Sequence, residues 1–290
     1  MKVKFITCIY ARLNGTDLGG RSSRGEHYKY SLLSLLKITK ADFLCYTSQG
    51  EIDELMDFFY ITHKISPRQL KLVMFDIRNP KSVDLIEKYK DIEENKKSDR
   101  CMNIQYSKFH WWWNEDRSYD YYYWIDAGFS HCGLIPLKYL VNDGSYRQYF
   151  ESPLFNNKFL KNLVGYTGDK FFVIAKENLR NHWSGSVDEK WYNKFDRSLH
   201  IIGGLFGGKK ELWDEVVTQF ENYLNEITED VKLLYTEEQF LTLMFYNNRD
   251  KFITKEFDIW WCPDNGAKDT PPDHYIINKS FYRILEELNE

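Results

Sequence analysis

Apolar positions fall into short runs and helical faces that alternate along the chain. Lys2 to Tyr10 is a short apolar run of the kind that opens an α/β sheet. It is followed by a loop, Ala11 to Glu26, that interleaves Gly15, Gly19, Gly20 and Gly25 with Arg12, Arg21 and Arg24. From Tyr28 to Thr39 the apolar residues return at helical spacing. A strand (Asp42 to Thr47), a helix (Ile52 to His63) and a strand (Leu70 to Asp76) come next, and this order predicts a parallel sheet with crossover helices. Lys81 to Arg100 is charged and reads as solvated helix and connector, whereas Met102 to Trp113 again carries one apolar helical face. Tyr121 to Ile125 is apolar at every position, as a central strand buried on both faces requires, and it ends at Asp126. Phe171 to Ala175 and Leu199 to Ile202 are further strand candidates. Helices are predicted over Lys209 to Ile227 and Glu237 to Tyr246, and a loop from Cys262 to Asp273 leads to a last amphipathic helix. No repeat, low-complexity segment or linker divides the chain, so one domain is expected.

Composition narrows this α/β picture. With 290 residues, 43% hydrophobic and 28% charged, the chain is long enough for one large core and is not intrinsically disordered. Aromatic residues reach 17%, which suits a thick core or surfaces that stack on bases and sugar rings. A net charge of −4 argues against a general nucleic-acid coat, though a local basic patch is compatible with it. The five cysteines (Cys8, Cys45, Cys101, Cys132 and Cys262) form no Cys-x-x-Cys pair and read as free thiols of a reducing compartment. The amino-terminal apolar run is too short for a signal peptide, and no stretch is long enough to span a membrane. A cytoplasmic location is expected.

Four places carry candidate chemistry. The first is Trp124-Ile125-Asp126-Ala127-Gly128, where a carboxylate just beyond a central strand lies at the carboxyl end of the sheet, the usual ligand edge of open α/β folds. Asp126 there suits a hard cation or sugar hydroxyls, or simply caps the next turn; Gly128 would let the backbone approach a ligand closely. The second is Gly203-Gly204-Leu205-Phe206-Gly207-Gly208. Two glycine pairs imply backbone close to a ligand or another strand, or a bend entering a helix; no Gly-Lys-Ser/Thr makes it a P-loop. The third is Thr236-Glu237-Glu238-Gln239, which has the form of a capping box and also sets two carboxylates on a rigid helix start, where a general base can sit. The fourth joins Arg12, Arg21 and Arg24 to Lys108, cations that match phosphate oxygens or belong to a solvated loop. There is no His-x-x-x-His and no Gly-x-Ser-x-Gly, and His274 stands alone. The run Trp111-Trp112-Trp113 offers stacking faces, but a helix turns them in different directions, so at least one belongs to the core.

In their order these motifs resemble the HtrL/YibB family, a bacterial family similar to glycosyltransferases of the GT-A fold. The resemblance is carried by Tyr-Trp-Ile-Asp-Ala-Gly (123–128), Gly-Gly-Leu-Phe-Gly-Gly (203–208), and Glu-Glu-Gln (237–239) before Asn247-Asn248-Arg249-Asp250-Lys251-Phe252. Tyr10, Gly20-Arg21 and Tyr106-Ser107-Lys108 add to it, and it runs from about Lys2 to Phe252. It implies a GT-A-like, Rossmann-like domain over 1–290 with a mixed, mostly parallel sheet flanked by helices. Residues 1–130 would form the nucleotide-binding half and 131–290 the acceptor and catalytic half. It also implies a hexosyl- or pentosyltransferase that uses a nucleotide-diphosphate sugar, a UDP-sugar as first choice. Asp126 would match the one retained acid of an Asp-x-Asp motif and hold Mn²⁺ or Mg²⁺ with the diphosphate, and Gly128 stands where the second acid is expected. Arg21 and Lys108 would contact phosphates, Tyr10 would belong to the donor site, Gly203 and Gly204 would line the sugar and acceptor side, and Glu238 or Glu237 would be the catalytic acid residue.

Three functions follow. The first is transfer to a glycan, lipid-linked saccharide or other hydroxyl acceptor. A second makes a hydroxylated base in DNA the acceptor, motivated by the basic, aromatic-punctuated segment from Arg21 to Tyr30 and by the tryptophan run. A third is a non-catalytic nucleotide-sugar binding protein.

Overall fold

In a computed structural model, residues 1–10, 12–13, 16–17, 22–75, 105, 107–128, 156–176, 201–226, 237–257 and 288 are described. Strand β1 (Val3–Ile9) is followed by a short antiparallel pair, β2 (Arg12–Leu13) and β3 (Thr16–Asp17), and by helix α1 (Ser22–Ile38). Then come β4 (Asp42–Thr47), α2 (Ile52–Met56), β5 (Leu70–Met74) and β6 (Tyr121–Ile125). The carboxyl-terminal part supplies α3 (Asn157–Thr167), β7 (Phe171–Lys176), β8 (Ile201–Lys209), α4 (Lys210–Glu226), α5 (Glu237–Asn247) and β9 (Phe252–Phe257).

Seven strands form one sheet in the order β5-β4-β1-β6-β8-β7-β9. Every pairing is parallel except those of β8, which runs against both β6 and β7. Among the described strands the sheet is therefore mixed and mostly parallel, with β8, next to β6, reversed. Alternate residues of each strand feed two cores. Ile6, Leu44, Tyr122, Trp124, Val173 and Phe206 face the segment 107–114, α4 and α5. Phe5, Phe43, Tyr123, Ile125, Phe172 and Leu205 face α1, α2 and α3. All five residues of β6 are buried, which explains its unbroken apolar sequence.

The elements differ from the sequence expectation in several places. The loop expected over Ala11 to Glu26 instead carries β2 and β3, and α1 begins at Ser22 rather than at Tyr28. The helix expected from Ile52 to His63 is α-helical only to Met56, and Asp57–Thr62 widens into a π-helical turn. Its Tyr60 hydroxyl donates to the Leu70 carbonyl at 2.9 Å and so ties the turn to β5. Helix α3 was not foreseen, although its apolar residues Phe159, Leu160, Leu163 and Val164 are buried and Asn156 accepts from the amides of Lys158 and Phe159. Strand β9 was not foreseen either. The strand expected to end at Ile202 runs on through both glycine pairs to Lys209. Cys45 and Cys8 are free thiols, as expected, and the other three cysteines lie outside the described residues. Also outside them are the charged stretch to Arg100, the loop from Cys262 and the final helix apart from Leu288. No described helix is long and apolar enough to cross a membrane.

Glycines explain how β8 can be a strand. Gly207 lies opposite both Tyr123 and Phe172, with φ +150°. A Cβ there would run into the Tyr122 carbonyl and come within 2.7 Å of the Tyr123 Cα. A Cβ on Gly208 would meet the Lys170 carbonyl at 2.8 Å. The second glycine pair is thus a strand-packing device. Gly207→Ala is expected to destabilise the fold by roughly 2–4 kcal/mol, from backbone strain plus the clash. Gly165→Ala, exposed in the last turn of α3 with open space at its Cβ position, is expected to stabilise by about 0.5–1 kcal/mol. Urea unfolding of both variants checks the contrast, and equal effects would contradict it.

Candidate active site

The carboxyl end of β6 is built first by its register. Because β8 is antiparallel, Ile125 lies opposite Leu205, and one step further the Asp126 amide donates to the Gly204 carbonyl at 2.9 Å. The first glycine pair is thereby fixed beside the strand-end acid. Helix α5 packs on β8 and brings its first turn, Glu237 and Glu238, to the same point. The Gly203 amide donates to Glu238 Oε1 at 2.8 Å. A Cβ at Gly203 would strike the Glu237 carboxylate and come within 3.1 Å of the Glu238 Cγ. Gly203 therefore clears space for the two acids themselves.

Lys108 completes the cluster from the other side. Residues 107–110 are helical and buried, and Trp111–Asn114 continue as a 3-10 turn. Phe109 packs against Phe220 and Phe240 with centroids 4.6 and 5.2 Å apart. The Trp111 indole donates to the Lys108 carbonyl at 2.6 Å, and Trp111 and Trp112 pack on Trp213. Held in this way, the Lys108 ammonium donates to Asp126 Oδ1 at 2.9 Å, Glu237 Oε1 at 2.5 Å and the Gly203 carbonyl at 3.1 Å. The Trp124 indole donates to the same Asp126 oxygen at 2.8 Å, and its ring lies 5.2 Å from the ammonium.

Exposure separates the acids. The Asp126 side chain is 39% accessible and the Glu237 side chain 3%, so the cluster opens at Asp126 and closes at Glu237. Glu238 is partly buried. Burial pulls the Lys108 ammonium down, but the charges of Asp126 and Glu237 more than offset it and hold the amine well above the usual lysine range. Burial raises the Glu237 carboxyl against the pull of Lys108, and its Oε2 is buried with no partner among the described residues. Burial, and then the charge of Glu237, push Glu238 up to about 7 while the Gly203 amide pulls the other way.

The other residues singled out in the sequence are placed as follows. Tyr10 is buried at the same end of the sheet, just beyond β1, and its hydroxyl donates to the Phe75 carbonyl at 3.0 Å. Gly128 is buried against the Tyr28 ring. Arg21, like Tyr106 and His274, lies outside the described residues, and so do the side chains of Arg12 and Arg24. Trp111 and Trp112 are core, while Trp113 is 44% exposed with its indole on Glu221. Thr236, the first member of the capping box, lies outside the described residues. Sequence reasoning treated Lys108 as a phosphate contact and did not anticipate its burial. The signal available was a lysine embedded among Phe109, Trp111 and Trp112 on an apolar segment.

A divalent ion needs several oxygens free to turn towards it. Among the described residues no group of three His, Cys, Asp or Glu side chains is arranged to hold a metal ion. The facing oxygens of Asp126 and Glu237 are instead drawn onto the Lys108 ammonium.

The class defined by fold and site is thus a mixed α/β protein with an acid–lysine cluster at the carboxyl end of its central strand. No protein-family model matches the chain, and a search of curated proteins gives no match. Similar solved structures include mouse xyloside xylosyltransferase 1 in its apo form, at TM-score 0.48 and 9% identity, over 98% of this chain and 94% of that one. The glycosyltransferase GlyE of Streptococcus pneumoniae matches at TM-score 0.42 and 8% identity, over 99% of this chain and 62% of that one. The 4-diphosphocytidyl-2C-methyl-D-erythritol synthase of Anaerococcus prevotii matches at TM-score 0.39 and 11% identity, over 88% and 86%.

The raised Glu238 gives a stability prediction whose sign is fixed. Between the ordinary 4.5 and about 7 the folded state keeps a proton that the unfolded chain releases. Stability therefore falls as pH rises through that window and stays lower above it. Glu238→Gln keeps an acceptor for the Gly203 amide and removes the titration. It is expected to stabilise the protein by about 1–3 kcal/mol at pH 8 and by little below pH 5. Thermal unfolding at the two pH values checks this, and an unchanged difference between them would contradict it.

Proposed function

We propose that the protein is a glycosyltransferase that moves a sugar from a nucleotide-diphosphate donor, a UDP-sugar as first choice, to a hydroxyl acceptor. A glycan or lipid-linked saccharide is the proposed acceptor, and membership of the HtrL/YibB family is part of the same reading. One observation carries it. Residues of four motifs far apart in the chain, Lys108, Asp126, Gly203 and Glu237-Glu238, meet within hydrogen-bonding distance at the ligand edge of the sheet. These are the motifs on which the resemblance rests.

The chemistry assigned to each residue follows from its surroundings. Glu238 is the general base: it is partly open, one oxygen is pinned by the Gly203 amide, and its carboxyl sits near neutrality. It takes the proton of the acceptor hydroxyl as that oxygen attacks the anomeric carbon. The bond from this carbon to the diphosphate oxygen breaks, the electron pair leaves with the diphosphate, and the anomeric centre inverts. Asp126, the open acid of the cluster, is assigned to the donor. Arg21 is assigned to the diphosphate by its motif, and Lys108 supplies fixed positive charge at the same edge. Glu237, buried under Lys108, positions the ammonium.

A thermal-shift panel of nucleotides and nucleotide sugars tests the donor. A ligand at a hundred times its Kd adds about 2.7 kcal/mol of stability, so one base family should stand out. With that donor, product analysis on saccharide and hydroxylated-DNA acceptors decides the acceptor class. Glu238→Gln is expected to lower kcat by about 10²- to 10⁴-fold while the donor still binds. The wild-type kcat/KM should fall about tenfold per pH unit below about 7, a limb that the variant lacks. A variant with wild-type turnover would remove Glu238 from the chemistry. Silence of the whole panel, with and without Mn²⁺ or Mg²⁺, would remove the transferase reading.

A further inference from the structure

We infer that Lys108 is the resident cation of this site, bridging Asp126 and Glu237, so that donor binding needs neither Mn²⁺ nor Mg²⁺. The inference rests on the transferase reading for the identity of the donor, but its structural grounds are independent of it.

The first ground is saturation. An ammonium has three N–H donors, and those of Lys108 meet three oxygens, Asp126 Oδ1, Glu237 Oε1 and the Gly203 carbonyl, at 2.5–3.1 Å. Those oxygens come from the end of β6, the start of β8 and the first turn of α5. Lys108 therefore ties these three elements together and occupies the facing oxygens of Asp126 and Glu237.

The second ground is that the ammonium cannot easily give way. The Lys108 side chain is only 6% accessible, and the aromatic packing of Phe109 and Trp111 fixes the turn that carries it. Its departure would leave Glu237, 3% accessible, as an uncompensated buried charge. A divalent ion entering beside it would meet a fixed positive charge across the same carboxylate oxygens.

The third ground is at Gly128. The second acid of an Asp-x-Asp pair would stand there, yet a Cβ on Gly128 would lie 2.7 and 2.9 Å from the Tyr28 ring. The space for a second carboxylate is already filled by an aromatic ring. A glycine at 128, a tyrosine at 28 and a lysine at 108 are mutually consistent, and together they describe a site organised around an internal monovalent cation.

The test uses the full chain, prepared with EDTA and then divided between EDTA and Mn²⁺. In the wild type, the Kd of the nucleotide sugar selected by the panel is expected to change less than twofold between the two. Loss of affinity by tenfold or more in EDTA, restored by Mn²⁺, would overturn the inference while upholding the transferase reading. Without donor, Mn²⁺ is expected to leave the wild-type melting temperature unchanged. A Mn²⁺-induced rise that Asp126→Asn abolishes would overturn the inference even if no nucleotide sugar binds. Lys108→Met is expected to bind the donor at least tenfold more weakly in EDTA, and wild-type affinity in this variant would likewise count against it. Should that variant fail to fold, the two wild-type measurements decide alone.

Discussion

The buried ammonium of Lys108, set between two carboxylates and the Trp124 ring, dictates where the elements around it begin and end. Taking such a charge out of water costs several kcal/mol unless acids and hydrogen bonds surround it. The chain meets that demand from three directions, with Asp126 from β6, Glu237 from α5 and the Gly203 carbonyl from β8. Each of those contacts in turn specifies something else. Asp126 must stand at a strand end, α5 must begin where its first turn reaches β8, and position 203 must lack a side chain, because a Cβ there would occupy the place of the Glu237 carboxylate.

The aromatic residues are the apolar half of the same device. Phe109 follows Lys108 and Phe240 lies one helical turn after Glu237, and their rings meet beside the ion pair. Phe206, three residues after Gly203, packs on Phe109 and stacks on Trp124. Ion pair and ring contacts thus join the same elements at successive levels of one stack, the polar level at the ligand edge and the apolar level beneath it. The aromatic richness of the sequence, which on composition alone suited nucleic-acid or sugar stacking equally well, is here largely a core property: Trp111, Trp112, Trp124 and Trp213 are fully buried.

How far the sequence revealed this depends on the kind of interaction. Strands β1, β4, β6 and β7 were readable because burial on both faces makes short continuous apolar runs, whereas β5, half-exposed at the sheet edge, was readable from Leu70, Leu72 and Val73. Strand β8 was cut short because glycine disfavours strands, and only tertiary contact with Tyr122, Tyr123 and Lys170 shows why glycine is required there. The choice between a ligand and another strand as the reason for the two glycine pairs divides cleanly: 207–208 serve neighbouring backbone and 203–204 serve the acids and Asp126. Helix α3 had a readable face and an asparagine cap that went unused, whereas β9, Phe-Ile-Thr-Lys-Glu-Phe, lacks a clean alternation. At the site, Asp126, Gly203, Glu237, Glu238 and Lys108 were all visible as residues, but the mutual engagement of Lys108 and the acids was not. Which polar groups satisfy one another is a matter of three-dimensional proximity, and no spacing rule encodes a contact between positions 108 and 237.

In the proposed reaction the charge of the cation and the strength of the base are linked. Among the described residues, three carboxylates, Asp126, Glu237 and Glu238, gather beside the Lys108 ammonium, so these four groups together carry net negative charge when all are ionised. Burial first, and then the negative charge of Glu237, lift Glu238 towards neutrality. A doubly charged ion in place of the ammonium would balance more of the negative charge and draw the carboxyls down, leaving a weaker base. A lysine leaves the imbalance in place, and it falls on the one acid of the helix pair that is partly open and bonded to a backbone amide rather than to the ammonium. Glu237, closer to Lys108 and sealed from solvent, is the acid that holds the cation. The capping-box sequence thus yields two adjacent glutamates in different surroundings, because one residue of helical rotation turns the first onto the lysine and the second onto the Gly203 amide.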